Sequence, residues 1–170
     1  PVLPDADAVV NPKIPGSEYK NKNLAGVGVA FKLVYALSGC NKYILEKYCE
    51  IAAIGTIADM VPLIGENRFI AKFGLDKLSS TNNVSGIDDE CITSANISFA
   101  IAPRLNAAGR IASAKTSVEL LFAKNKDEAM RIASLLDDEN KLRQQIEQEI
   151  LDQAIAIIET KKYYNDKVIV

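Results

Sequence analysis

An aspartate in an apolar segment is the first candidate for chemistry in this sequence. Asp59 lies in GTIADMVPL, between a glycine and a proline, with aliphatic residues on both sides. Burying a carboxylate is costly unless a metal ion, a cation or hydrogen-bond donors pair with it. The alternative is a helix-capping or turn aspartate with no further function. A single aspartate cannot hold Mg²⁺ or Mn²⁺ alone, because such ions take about six ligands, usually including several carboxylates.

Two arginines and an amide form the second candidate, in IAPRLNAAGRI. Arg104, Asn106 and Arg110 lie close together, with small residues between them. Guanidinium groups bind phosphate oxygens in a bidentate manner, and Gly109 would let a ligand approach the backbone. The alternative is that one arginine caps a helix and the other forms a surface ion pair. No acidic residue lies nearby in the sequence, which favours an anion-binding site.

Two further motifs carry weaker signals. LAGVGVAFK contains Gly26 and Gly28, but it lacks GxGxxG and the P-loop Lys-Ser/Thr pair, so close helix packing explains these glycines better than phosphate binding. In GENR, Glu66 and Asn67 are expected to cap the next helix, and Arg68 is expected to face solvent.

Composition excludes several classes of protein. The 170 residues are 48% hydrophobic and 25% charged, with a net charge of -2, which excludes disordered chains and strongly basic proteins that coat nucleic acid. The absence of histidine excludes a Ser-His-Asp triad and any His-ligated metal site within the chain. Three cysteines without a CxxC motif indicate reduced, mostly buried thiols in a cytoplasmic protein. No apolar run approaches the ~20 residues that cross a bilayer, so no membrane partner is expected.

Helices must position the candidate residues. Hydrophobic spacing and capping residues predict helices from Asn23 to Gly39, Asn41 to Gly55, Asn67 to Leu78, Ser98 to Asn106 and Thr116 to Phe122. Pro103 is expected to interrupt the fourth of these helices, Gly109 to mark a turn, and GTIADMVPLIGENR to form a tight apolar loop.

The two ends of the sequence have a different character. Ala8–Val10 and the final KVIV predict short strands, which cannot form a stable sheet on their own, so their partners are expected outside this sequence. Pro1 without a preceding Met likewise suggests a chain cut from something longer. A long helix is predicted from about Asp127 to Thr160, with one apolar stripe at four-residue spacing: Leu142, Ile146, Ile150, Ala154 and Ile158. Its many acidic residues would repel DNA, which favours a connector between two domains.

Three segments, LAGVGVAFKL, AAIGTIADMVPLIGENR and ISFAIAPRLNAAGRI, resemble the RecJ single-strand-specific exonucleases of the DHH phosphoesterase superfamily. The resemblance covers nearly the whole chain, and the last two segments are its specific part. It implies an α/β parent fold, of which this chain is a predominantly α-helical piece with short strands at its two ends and a long connector helix. Residues 1–125 would then complete the DHH catalytic domain, 126–162 would form the connector, and 163–170 would begin the DHH-associated domain.

The resemblance also implies an activity, which is 5′→3′ hydrolysis of phosphodiester bonds in single-stranded DNA during DNA repair and recombination. Mn²⁺ or Mg²⁺ is the implied cofactor, with Asp59 as a catalytic metal ligand and Arg104, Asn106 and Arg110 beside the DNA path. A monomeric whole protein and single-strand-binding protein as a second partner are further implications. The family's aspartate-rich motifs and His-His pair are missing from this sequence. The isolated chain is therefore expected to be inactive.

Two other functions remain open at this point. One is a shorter DHH-type phosphoesterase that acts on oligonucleotides or small phosphate esters. The other is a non-catalytic helical interaction module, in which Asp59 and the arginines are plain caps and surface charges. This second alternative predicts no ion at Asp59 and no anion at Arg104 or Arg110.

Overall fold

The computed structural model describes residues 3–80, 92–111 and 113–161. The described chain is helical, and its contacts divide it into two compact units, Pro1–Ala102 and Pro103–Val170. None of its helices is both long and apolar enough to cross a membrane. The helices, in chain order, are α1 (Gly26–Leu37), α2 (Lys42–Ala58), α3 (Gly65–Ser80), α4 (Ser94–Asn96), a π-helical turn (Ile97–Ile101), α5 (Ala102–Ile111), α6 (Lys115–Leu121) and α7 (Lys126–Lys161).

Helix α2 begins as predicted but ends later. The Asn41 side chain accepts a hydrogen bond from the backbone N–H of Tyr43, so Asn41 is the N-cap. The prediction that Gly55 ends the helix is wrong, since α2 continues to Ala58. A Cβ at Gly55 would lie 2.8 Å from Cγ1 of Val27 on α1, so this glycine allows two helices to approach. Helix α1 itself starts at Gly26, after Ala25, and not at Asn23.

Helices α2 and α3 pack closely where small residues meet. A Cβ at Gly74 would lie 2.3 Å from Cβ of Ala53 and 2.4 Å from the carbonyl oxygen of Cys49, so only glycine fits there. The apolar residues around this crossing form one buried cluster: Leu24, Phe31, Cys49, Ala52 and Ile70. A second cluster extends to the turn that follows: Ile57, Ala71, Leu78, Ile92 and Ile97.

The helical run around Pro103 differs from the prediction. Thr93 and Asn96 form a reciprocal capping box at its start. Pro103 does not end the helix; instead, hydrogen bonding shifts just before it, with the N–H of Ala102 donating to the carbonyl of Ile97. A π-helical turn of this kind adds a residue without breaking the helix. Gly109 lies inside α5 and marks no turn, so the predicted end at Asn106 is also wrong.

The second unit is built on the long helix, which is confirmed. Helix α7 has 36 residues and is about 54 Å long. Its first half buries Ile132 and Leu136 against Ala108 of α5. In its second half the predicted apolar stripe lies at the surface among the described residues, with Leu142 45% and Ile150 61% exposed.

The predicted helical character of the chain is confirmed. The short strand predicted at Ala8–Val10 is not observed. Residues 8–10 are irregular, and Val10 is 58% exposed. A strand is held by hydrogen bonds to a neighbouring strand, and no described residue supplies one. The predicted strand KVIV and most of the predicted loop at 79–90 lie outside the described residues, as does Cys91. Of the two described cysteines, Cys40 is exposed and Cys49 is buried. Burial raises the pKa of the Cys49 thiol.

Candidate functional site

Asp59 ends helix α2 and faces solvent. It is the C-cap, and its backbone N–H donates to the carbonyl of Gly55 at 3.0 Å. The apolar surroundings predicted for its carboxylate are corrected by the structure. Because α2 continues to Ala58, Ile57 turns into the core at 5% exposure while Asp59 stays at the surface. In residues 3–80, 92–111 and 113–161, no hydrogen bond or ion pair engages the Asp59 carboxylate.

The position of Asp59 argues against a purely structural role. The C-terminal end of a helix carries partial negative charge from its unpaired carbonyl groups, so a carboxylate there destabilises the helix. A capping aspartate belongs at the opposite end. Met60, the next residue, has a left-handed backbone with φ +51°, which is uncommon for a residue other than glycine. A left-handed residue directly after the C-cap is also a common helix ending, and the N–H of Met60 donates to the carbonyl of Ile57 at 3.1 Å, so the carboxylate is the feature that helix termination does not explain.

The Asp59 carboxylate fits one ligand position of a hard divalent cation, since such ions prefer carboxylate oxygen. A bound cation would also remove the unfavourable interaction between this carboxylate and the helix end. Among the described residues, however, no group of three or more His, Cys, Asp or Glu side chains could hold a metal ion. Asp59 could thus supply one ligand at most, and the described residues do not complete a set around it.

The second unit brings Asn106 and Arg110 together on one face of α5. They are four residues apart, so they are neighbours on the helix surface, and both are exposed. Gly109 lies on the same exposed face. Among the described residues, a Cβ there would meet Cβ of Ala114 at an ordinary 3.7 Å, so no described neighbour requires glycine. An amide, a guanidinium and bare backbone together could bind a phosphate-bearing ligand at close range.

Arg104 lies on a different side of α5 from Arg110. Its Nε donates to Oδ1 of Asp137 on α7 at 2.9 Å, and Oδ2 of Asp137 binds Nζ of Lys141 at 2.9 Å. These hydrogen bonds, first from Lys141 and then from Arg104, hold the pKa of Asp137 below its usual range. The sequence showed no acid near Arg104 because its partner is 33 residues away. The structure therefore supports the ion-pair alternative for Arg104.

The first unit contains a polar network that sequence reasoning missed. The Tyr19 hydroxyl donates to the Glu66 carboxylate at 2.7 Å, and Lys32 binds both groups. Burial disfavours the charged form of Glu66, but the hydrogen bonds from Lys32 and Tyr19 outweigh it and lower the pKa of Glu66. Burial likewise favours neutral Lys32, yet its bonds to Glu66 and Tyr19 raise its pKa overall. Glu66 thus joins α3 to α1 and to the preceding loop.

Asn67 is the other residue whose role was mispredicted. It is fully buried rather than a surface cap, and its amide Nδ2 donates to the carbonyls of Asn23 at 2.7 Å and Pro62 at 3.0 Å. Its Oδ1 accepts from the N–H of Ala25 at 3.4 Å. Local spacing contains no signal for these contacts, because the first and third partners are more than 40 residues away.

Comparison with known proteins shows that the chain is similar to a segment of proteins named single-stranded-DNA-specific exonuclease RecJ. The chain is 45% identical to the protein from Bacillus subtilis over 167 residues, which are 94% of this chain and 21% of that protein. It is 35% identical to the Salmonella typhimurium protein over 92% of this chain and 31% of the relative. The chain therefore spans about a fifth to a third of the length of the curated relatives it matches. No protein-family model matches the chain.

Solved structures give the same result. The RecJ structure from Thermus thermophilus in complex with Mg²⁺ superposes with a TM-score of 0.67 at 31% identity, over 80% of this chain and 23% of that one. A structure of exonuclease RecJ bound to manganese superposes with a TM-score of 0.62 at 31% identity, over 74% of this chain and 34% of that one. The helical arrangement is therefore shared with those enzymes.

Proposed function

Because this chain is homologous to a segment of the RecJ exonucleases, we propose that the protein hydrolyses single-stranded DNA from its 5′ end with Mn²⁺ or Mg²⁺. The observation that carries the proposal is the position of Asp59. Its exposed carboxylate lies at the unfavourable end of α2, without a described cation partner. The relatives' names describe single-stranded-DNA exonucleases, and the matching structures contain Mg²⁺ or manganese. We extend the proposal to a role in DNA repair and recombination, which the resemblance to the RecJ family implies.

Asp59 would serve as one ligand of the catalytic cation, together with ligands outside the described residues. When bound, such a cation polarises the scissile phosphate and lowers the pKa of the attacking water. The contribution of Asp59 itself is to hold negative charge at the C-terminal end of α2, where the following loop begins. The chain contains no histidine, so no histidine of this chain takes part.

Asn106 and Arg110 would contact the DNA backbone from their shared face of α5. Arg110 supplies charge and bidentate donors for a phosphate, and Asn106 supplies a neutral amide one turn away. We assign Arg104 a positioning role, because its ion pair with Asp137 connects α5 to α7. Helix α7 would then connect the DHH domain to the next domain. Single-strand-binding protein remains a proposed second partner, and a monomer the proposed state of the whole protein.

Replacing Asp59 tests this function. In the whole protein, we expect Asp59→Asn to weaken Mn²⁺ binding and to lower kcat/KM on 5′-labelled single-stranded DNA by about 100-fold or more. Thermal stability should be unchanged or slightly higher, because a charge is removed from a helix C-terminus. Calorimetric Mn²⁺ titration and release of labelled nucleotide are the measurements.

The matched control is Asp76→Asn, which removes another exposed carboxylate from the same unit, on α3. It should bind Mn²⁺ and cleave DNA as the unmodified protein does. Full Mn²⁺-dependent activity in Asp59→Asn would overturn the proposed role of Asp59. A substrate labelled at the 3′ end tests the proposed direction of cleavage separately.

A further inference from the structure

The loop that follows Asp59 connects α2 to α3 in six residues, 59–64, and has little internal support. Met60 adopts φ +51° at its start, and Gly65 adopts φ +51° at its end. Within the loop, the N–H of Ile64 donates to the carbonyl of Pro62 at 2.9 Å. Pro62, Leu63 and Ile64 are exposed, so apolar packing does little to hold the loop in place. The N–H of Met60 donates to the carbonyl of Ile57 at 3.1 Å, which holds the start of the loop on α2, so another contact must fix the backbone that follows.

Asn67 supplies that contact from the first turn of α3. Its Nδ2 donates to the Pro62 carbonyl at 3.0 Å, three residues after Asp59, and to the Asn23 carbonyl at 2.7 Å. Both amide protons are therefore used, and the side chain is 0% exposed. The Asn23 end of this bridge lies directly before buried Leu24 and Ala25. One amide thus ties the Asp59 loop to the anchored entry of α1.

Helix capping does not explain these contacts. An amide at this helix position normally turns back to the N–H of the N-cap. The amide nitrogen of Asn67 instead donates to the carbonyls of Asn23 and Pro62, which lie outside α3. A buried amide is costly unless its donors are all used, so an apolar residue would serve better if only packing were required.

We propose that Asn67 is a positioning residue for the metal ligand Asp59: its buried amide fixes Pro62 and thereby the loop that leaves the helix end where the Asp59 carboxylate lies. The proposal rests on the proposed function of Asp59. It predicts that removing the Asn67 amide weakens cation binding and leaves the protein folded. Residues that orient metal ligands commonly change metal affinity by about 10- to 100-fold when replaced.

The experiment compares Asn67→Ala and the milder Asn67→Ser with Ile70→Ala in the whole protein. Ile70 is also buried on α3, in the neighbouring cluster, but it makes no polar contact with the loop. We expect both Asn67 variants to weaken Mn²⁺ binding about 10-fold in calorimetric titration, and Ile70→Ala to leave it unchanged. Backbone amides of residues 60, 61 and 63–65 should exchange with deuterium faster in the Asn67 variants alone. Cleavage should recover at saturating Mn²⁺.

Each outcome supports or overturns the proposal. Mn²⁺ affinity and loop exchange that are unchanged in folded Asn67→Ser would overturn it, as would an equal loss of affinity in Ile70→Ala. Should Asn67→Ala fail to fold, Asn67→Ser decides. Asp59→Asn is measured in parallel. If Asp59→Asn keeps its Mn²⁺ affinity, the proposed function fails; if it loses affinity while Asn67→Ser does not, only the positioning role fails.

Discussion

At the scale of single residues, two helical glycines, Gly74 and Gly109, differ in whether their neighbours leave room for a side chain. Gly74 is required by packing, because any side chain would overlap Ala53 and the backbone of Cys49. Among the described residues Gly109 has no such neighbour, although glycine in a helix interior costs about 1 kcal/mol relative to alanine. The role proposed for this face of α5 would use the exposed backbone at Gly109, beside Asn106 and Arg110.

We therefore expect Gly109→Ala to separate stability from function. The added methyl should raise the free energy of unfolding by about 0.5–1 kcal/mol, since it fits without overlap and favours the helix. The same methyl should weaken binding of single-stranded DNA, which fluorescence anisotropy measures.

Arg110→Ala is the comparator for this variant. It should weaken DNA binding and also reduce the salt dependence of binding by about one phosphate contact, which Gly109→Ala should not do. Gly109→Ala that is more stable and binds DNA normally would contradict the role assigned to this face of α5.

At the scale of elements, Glu66 links α3 to α1 and to the loop that carries Tyr19. Its pKa is lowered in the folded state, so its contribution is present above the unfolded pKa of about 4.3 and is lost as pH falls through the folded value. The pKa of Lys32 is raised, so its contribution is present below about pH 10.4 and is lost as pH rises through the folded value. The Lys32–Glu66 pair therefore stabilises the fold at pH values where Glu66 is ionised and Lys32 is protonated.

Replacing Glu66 by glutamine should therefore cost stability at neutral pH and much less in acid. The side chains of Lys32 and Glu66 are 40% and 38% exposed, so solvent screening limits the expected loss to about 0.5–1 kcal/mol at pH 7. Urea unfolding at pH 7 and pH 3 measures it. The control is Glu46→Gln. Glu46 carries a surface carboxylate whose Oε1 lies 3.8 Å from Nζ of exposed Lys42. An equal loss at both pH values would show that the charge of Glu66 is not the cause.

At the scale of the whole molecule, the residues proposed to act on metal and DNA are divided between the two units. Asp59 belongs to the first unit, Asn106 and Arg110 belong to the second, and the described residues contain no complete set of metal ligands. The exposed apolar stripe in the second half of α7 has no partner among the described residues either. The sequence also lacks the aspartate-rich motifs and the His-His pair of the family that it resembles, so we expect activity to depend on more protein than these 170 residues.

The 170-residue chain alone should accordingly release no nucleotide from single-stranded DNA in Mn²⁺. Incubation of the purified chain with end-labelled DNA, beside a complete RecJ exonuclease as the positive control, measures this. Robust Mn²⁺-dependent cleavage, abolished by Asp59→Asn, would contradict the prediction and would mean that the chain supplies every ligand it needs.

The sequence by itself determined the helical character, the position of the long helix, the Asn41 cap and the family. These features depend on local periodicity, on one capping side chain or on contiguous motifs, all of which can be read from neighbouring residues. Only the tertiary structure decided that Gly55 and Gly109 lie inside helices, that Arg104 pairs with Asp137, and that Asn67 holds Pro62. Helix packing and long-range hydrogen bonds decide these features, because their partners are distant in the sequence and are brought close only by folding.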